Sequence, residues 1–177
     1  MKSIVAWMAL VLIVPVSLAA QEGLTPGQKA FRFSLIWPSA HAEFHLGSNI
    51  TLEAFTQMGS ILSGANLRTS LLGNVALNYY YNANKRTANG RPTNLFSGNA
   101  LSLRHSLTLW SNIKYRAPGG EERTFIRSSY VMEHVFRRPI GKIGFWEFGL
   151  GGGVAYNPGF SAVELTPSLR LGVGIGF

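Results

Sequence analysis

The stretch that decides the fold is Val163-Glu164-Leu165-Thr166-Pro167-Ser168-Leu169-Arg170-Leu171-Gly172-Val173-Gly174-Ile175-Gly176-Phe177. Val163, Leu165, Leu169, Leu171, Val173, Ile175 and Phe177 fall on one side of an extended chain. Glu164, Thr166, Ser168, Arg170, Gly172, Gly174 and Gly176 fall on the other. Successive side chains of a strand point to opposite faces, so this spacing predicts a strand with one apolar face. Pro167 cannot donate to a ladder and marks a bulge or the strand's outer end.

The same alternation recurs upstream. Thr51 to Met58, Leu72 to Asn82, Leu101 to Trp110, Arg123 to Phe136 and Ile143 to Tyr156 each set apolar side chains against polar, charged or glycine ones. Ala30 to Trp37 and Ala40 to Leu46 read either as two short strands around Pro38-Ser39 or as one strand kinked there. Soluble sandwiches alternate too. The closing apolar strand with its final aromatic favours a transmembrane barrel, and Leu169, Leu171, Val173, Ile175 and Phe177 resemble the assembly signal that the barrel-insertion machinery reads. Transmembrane barrels of this kind have even strand numbers, so parity selects the two-strand reading of residues 30–46. The expected fold is all-β: a membrane-spanning antiparallel up-and-down β-barrel of eight strands, preceded by a signal peptide.

Short periplasmic turns are expected at Gly47-Ser48-Asn49 and Arg137 to Lys142, and outer loops at Ser60 to Thr69, Ala117 to Glu122 and Asn157 to Ser161. One break conflicts with this order. The segment Asn84 to Asn99 is long and basic, yet parity puts it on the periplasmic side.

Compartment follows from the first residues. Met1-Lys2-Ser3 is a short positive start, Ile4 to Val16 an apolar run, and Ser17-Leu18-Ala19-Ala20 a small-residue cleavage site. Residues 1–20 thus read as a signal peptide and 21–177 as one barrel domain. No later stretch is apolar for the length a membrane helix needs, so insertion would require a closed barrel. The chain has no cysteine, hence no disulfide and no lipidated cysteine. Its eight acidic residues are all Glu, which excludes an Asp-built calcium loop and an Asp-oriented triad. The net charge of +8 points, in an exported chain, to outer-membrane lipid and lipopolysaccharide as partners and not to nucleic acid.

Charged residues on the predicted inward faces are Arg32, Glu43, Glu53, Arg104, Arg127, Glu133, Glu147, Glu164 and Arg170. An eight-stranded barrel is just wide enough to be filled by side chains, so this set predicts a plugged lumen held by ion pairs. An ion or solute pathway is the competing use of the same charges.

His41, Glu43 and His45 share one face, but neighbours two apart on a strand are separated by about 7 Å, which suits one metal poorly. No metal or cofactor is expected. A lipid A or phospholipid-modifying barrel enzyme is the alternative function. Ser106 and His105 point to opposite faces, and His134 lies six residues from Ser128 on one strand, so neither makes a Ser-His pair. The expected role is therefore structural or surface-interacting, not catalytic. Lys85, Arg86 and Arg91, amid Asn82, Asn84, Asn89 and Asn94, form a possible anion contact. Trp37, Trp110, Trp146, Tyr79, Tyr81 and Tyr130 fit interfacial girdles.

The run Tyr79-Tyr80-Tyr81-Asn82-Ala83-Asn84-Lys85-Arg86, then Gly90-Arg91 and Ser97-Gly98-Asn99-Ala100-Leu101-Ser102-Leu103, resembles a block in small outer-membrane β-barrel proteins of the Bacteroidota. Phe44-His45-Leu46-Gly47-Ser48-Asn49-Ile50-Thr51-Leu52 is similar to a short hairpin earlier in such chains. The resemblance implies the fold, an outer-membrane location in a Gram-negative bacterium, and assembly by the barrel-insertion machinery. It implies no activity.

Overall fold

The computed structural model describes residues 27–177 apart from 48, 64–65, 92, 94–95, 117–119, 125 and 158–161. The expected signal peptide, residues 1–20, lies outside the described residues. Eight antiparallel strands close into a ring: β1 (Lys29–Ser34), β2 (Ser39–Gly47), β3 (Ile50–Ser63), β4 (Asn66–Tyr79), β5 (Gly98–Ser111), β8 (Ser128–Ile140), β9 (Gly144–Asn157) and β10 (Ala162–Gly176). Each pairs with its sequence neighbours in the ring, and β1 meets β10 from Arg32↔Gly176 to Ser34↔Gly174. Between β5 and β8 the chain makes a separate two-stranded sheet, β6 (Lys114–Arg116) with β7 (Glu122–Thr124). A helical turn, α1 (Ala83–Ala88), lies between β4 and β5.

The strand at 163–177 is found as β10, and residues 30–46 form two strands joined at 35–38, as parity requires. Several strands outrun their apolar alternation. β3 and β4 stay paired to Ser63↔Asn66, so residues 60–63 and 66–69 of the expected loop Ser60 to Thr69 belong to strands, and 64–65 lie outside the described residues. β8 continues to Ile140, and the expected turn Arg137 to Lys142 contracts to Gly141–Ile143. Asn157 belongs to β9 and Glu122 to β7; residues 158–161 and 117–119 of the expected outer loops lie outside the described residues. In each case backbone pairing with a neighbour carries the strand onward where side-chain pattern stops. The tight turns follow local chemistry, with Gly47, Asn49 and Gly141 at positive φ.

We call the rim where β1 begins the lower rim; the turns at Asn49 and at 141–143 and the described residues of the long segment at 80–97 share it. The segment is folded against the barrel. Asn49 Nδ2 donates to Asn84 Oδ1 at 2.8 Å, and the Asn99 N–H donates to Asn82 Oδ1 at 2.7 Å. Its length is thus not a miscount of strands.

The ring is uneven. β10 pairs with β9 along its whole length, but with β1 only over Gly174–Gly176, extended by the Leu35 N–H to Val173 O bond at 2.9 Å. On the far side β3 meets the β1–β2 turn last through the Met58 N–H to Pro38 O bond, also 2.9 Å. Above that short hairpin, residues 163–172 of β10 have no ladder partner on the β1 side among the described residues. The wall is notched there, and Pro167 sits in the half-open strand that tolerates it.

Candidate functional site in the lumen

Inward and outward faces are opposite in character to those of a water-soluble domain. Arg32, Glu43, Glu53, Glu133 and Arg137 are almost fully buried, whereas Phe31, Phe33, Val75, Leu101, Met132, Leu150 and Ile175 are exposed on the outer wall. The interior is layered from the lower rim upward.

The lowest layer is apolar. Tyr80, Ala83 and Phe96 from the 80–97 segment pack against inward Ala30, Ala100 and Phe145. Phe96 holds a left-handed backbone (φ 52) while fully buried. Such a conformation costs a bulky residue about 1–3 kcal/mol and persists only where packing over-determines it.

Above it runs a chain of alternating charge. Arg104 pairs with Glu133 (2.9 Å), Glu133 with Arg170 (3.1 Å), Arg170 with Glu53 (3.3 Å) and Glu53 with Arg32 (2.6 Å). Arg32 pairs with Glu43 (2.8 Å), Glu43 with Arg137 (2.8 Å) and Arg137 with Glu147 (2.9 Å). β4 joins through Asn78, whose Nδ2 donates to Glu43 and Glu53 at 3.1 Å each. Every strand of the ring thus contributes. Tyr80 ties the charged layer to the apolar one, donating to Glu43 Oε1 at 2.9 Å and accepting from Arg137 Nη1 at 2.5 Å. Thr51 Oγ1 also donates to Glu43. Phe145 and Phe55 lie under Arg32 and Arg170, at 5.8 and 4.9 Å from ring centroid to guanidinium carbon.

Of the nine charges expected inside, Arg32, Glu43, Glu53, Arg104, Glu133, Glu147 and Arg170 form this network. Arg127 stands higher, half-buried, beside a polar vestibule of about 180 Å³ lined also by Gln57, Asn74, Arg104, Ser106 and Ser168. Glu164 is corrected: it keeps the inward parity of β10 but is exposed beyond the network. Arg137 went unrecognised. Its neighbours Arg138-Pro139 resemble a turn, though the spacing Val131, Glu133, Val135, Arg137 continues the inward face.

His41, Glu43 and His45 do not converge, since Glu43 is committed to Arg32 and Arg137 while His41 turns to Glu53. Among the described residues no group of three such side chains could hold a metal ion. Of the serine-histidine combinations weighed in the sequence, none pairs. The structure instead pairs His105 Nε2 with Ser128 Oγ across strands (3.0 Å, outer face) and His41 Nε2 with Ser39 Oγ (2.8 Å, inner face). Ser39 was passed over as part of a break; it opens β2 on the face of His41.

Outside the lower rim, Lys85, Arg86 and Arg91 gather with Arg138 around a cavity of about 560 Å³, completed by Tyr81, Asn82, Asn89 and Asn99. No acid lines it. Arg138 is braced to β5, donating to Gly98 O (3.0 Å) and Asn99 Oδ1 (2.6 Å). Burial, then the charges of Arg138 and Arg91, lower the pKa of Arg86 below the ordinary arginine value.

The outward residues Leu169, Leu171, Val173, Ile175 and Phe177 are all exposed in a row on the outer wall. Trp110, Trp146, Tyr81 and Tyr130 are exposed there too, while Trp37 and Tyr79 are half-buried. The class so defined is an eight-stranded antiparallel ring, apolar outside and ionic within. No family model, curated protein or solved structure matches the chain.

Proposed function

We propose that the protein is an integral outer-membrane β-barrel of a Gram-negative bacterium, related to the small barrels of the Bacteroidota, with a lumen closed to solutes and a role at the membrane and its surface. One observation carries the reading: large apolar side chains cover the outer wall while the charges are buried inside. Exposed apolar surface on this scale is unfavourable in water and favourable in hydrocarbon. Strands of 14 residues, as in β3, β4, β5 and β9, exceed the roughly 9–11 a tilted transmembrane strand needs. Delivery would use the signal peptide and the barrel-insertion machinery, with β10 supplying the assembly signal.

The apolar layer and the ion-pair chain leave no continuous aqueous path in this reading. Purified protein in planar bilayers should give no steady single-channel conductance. Stable openings would sink the closed-lumen proposal and favour the solute or ion channel.

The surface role has a natural contact in Lys85, Arg86, Arg91 and Arg138, which stand on the rim that parity assigns to the periplasm and suit phosphate groups of inner-leaflet phospholipid. A basic side chain near an anionic surface contributes about 1 kcal/mol, so Lys85→Ala with Arg91→Ala should weaken binding to anionic phospholipid vesicles roughly 30-fold. Equal retention of wild type and variant in a pull-down would remove this contact. The second reading, a lipid-modifying barrel enzyme, is favoured by one feature only: the hydrogen-bonded set Ser39, His41 and Glu53.

A further inference from the structure

Ser39 Oγ lies 2.8 Å from His41 Nε2, and His41 Nδ1 lies 2.8 Å from Glu53 Oε1. Serine, imidazole and carboxylate stand in the order of a nucleophile, its base and the group that orients the base. The protonation pattern is dictated by chemistry. An ionised carboxylate can only accept, so the His41 proton sits on Nδ1 and is donated to Glu53. With the imidazole neutral, Nε2 carries a lone pair, and the Ser39 hydroxyl donates to it. Four guanidinium groups and four carboxylates already balance in the network, Arg32, Arg104, Arg137 and Arg170 against Glu43, Glu53, Glu133 and Glu147, so the neutral ring fits without uncompensated charge.

The set is rigid. Glu53 is anchored by Arg32, Arg170 and Asn78, and the His41 ring stacks on Phe55 at 4.6 Å with 12° between planes. It is also reachable. Ser39 is half-buried at the top of the short β1–β2 hairpin, where the wall is notched. Its register partner Gln57 lines the polar vestibule beside Arg127 and brings an amide N–H donor. The outer wall, on the face of β2 opposite Ser39, carries an apolar groove of about 590 Å³ across β1 to β5 that includes Ala40 and is bounded by Phe31, Phe33, Leu107 and Leu109.

We propose that Ser39, His41 and Glu53 form a serine hydrolase site at the wall notch, acting on the acyl ester of a membrane lipid whose chain lies in the outer groove. The choice of a lipid ester rests on the membrane reading above. Ser39 Oγ attacks the ester carbonyl carbon as its proton passes to His41 Nε2, and Gln57 faces the oxyanion. The adduct collapses by breaking the bond to the alcohol oxygen, and the alcohol leaves with the proton from His41. Water then attacks the acyl-Ser39, again giving a proton to His41, which returns it to Ser39 Oγ as the free fatty acid departs. Ser39 and His41 are the catalytic residues; Glu53 is a positioning residue.

The test uses the full folded chain with three probes: a fluorophosphonate, a water-soluble short-chain nitrophenyl ester, and phosphatidylethanolamine vesicles. Wild type should be labelled at Ser39 on peptide mapping and should release fatty acid from the vesicles. Ser39→Ala and His41→Gln, shown to be folded by their heat-modifiable gel migration, should lose at least about a thousandfold of the hydrolysis. Folded wild type that is neither labelled nor hydrolytic overturns the site, as does labelling or hydrolysis that survives Ser39→Ala. Vesicle flotation separates the two readings. Protein that floats but is unreactive at Ser39 refutes the site alone; protein that fails to float yet cleaves the soluble ester through Ser39 refutes the membrane reading, and with it the lipid substrate.

Discussion

Glu53→Ala should abolish stable folding, while Glu164→Ala on the same kind of strand should change nothing measurable. Glu53 is fully buried and meets Arg32 at 2.6 Å, Arg170 at 3.3 Å and His41 at 2.8 Å. Removing it leaves Arg32 and Arg170 facing each other in a closed interior without the carboxylate that separates them. Breaking a buried pair by deleting one partner costs about 3–5 kcal/mol, because the remaining charge stays desolvated. Arg32 keeps Glu43 and Arg170 keeps Glu133, but four guanidinium groups then face three carboxylates in the interior, which places the loss within that range. Against a total stability of about 5–15 kcal/mol this removes much or all of the margin. Glu164 is exposed and outside the network, where substitutions stay within about 0.5 kcal/mol. Urea unfolding in detergent measures both. Coincident midpoints for the two variants would show that the network does not hold the barrel together.

The same network explains how much of this protein could be read in advance. Period-two alternation exposes the inner face of a ring strand because that face is ionic and the outer one apolar. Arg32, Glu43, Glu53, Arg104, Glu133, Glu147 and Arg170 therefore stood out from sequence spacing alone. Where the alternation was overlaid by turn chemistry it misled. Arg137 sits two residues before Pro139, and Ser39 directly follows Pro38, so both looked like breaks, although backbone pairing carries β8 and β2 through them. Tyr80 and Phe96 were illegible for a different reason. They meet only because the 80–97 segment folds back into the lower rim, and nothing local to either residue encodes that approach. The hydrogen bond from His41 to Glu53 likewise depends on the β2–β3 register, His41↔Phe55, which places Glu53 diagonally across the hairpin.

The run Gly151-Gly152-Gly153 looks uniform in sequence, yet its three members should respond to alanine with opposite signs. β9 here crosses β8 at close range, with Gly151 opposite Glu133 and Gly153 opposite Val131. A Cβ on Gly151 would stand 2.0 Å from Met132 O and 2.7 Å from Glu133 Cα; one on Gly153 would stand 1.9 Å from Tyr130 O and 2.7 Å from Val131 Cα. These neighbours are backbone and cannot rotate away, so β8 and β9 must separate and their ladder loosen. Overpacking of this kind costs about 1–3 kcal/mol before lost hydrogen bonds are counted, and Gly151→Ala and Gly153→Ala should reach or exceed its upper end. At Gly151 the displaced Cα belongs to Glu133, so the strain is passed directly to the pairs with Arg104 and Arg170. Gly152 differs. A Cβ there meets only Thr166 O, at 3.6 Å, an ordinary contact on the outward face. Alanine at that position narrows the unfolded ensemble without strain, which stabilises by about 0.4–1 kcal/mol. Urea midpoints should therefore fall for Gly151→Ala and Gly153→Ala and hold or rise for Gly152→Ala. A uniform response across the three would mean that β8 and β9 do not approach as described, and that the glycines serve chain flexibility instead of close packing.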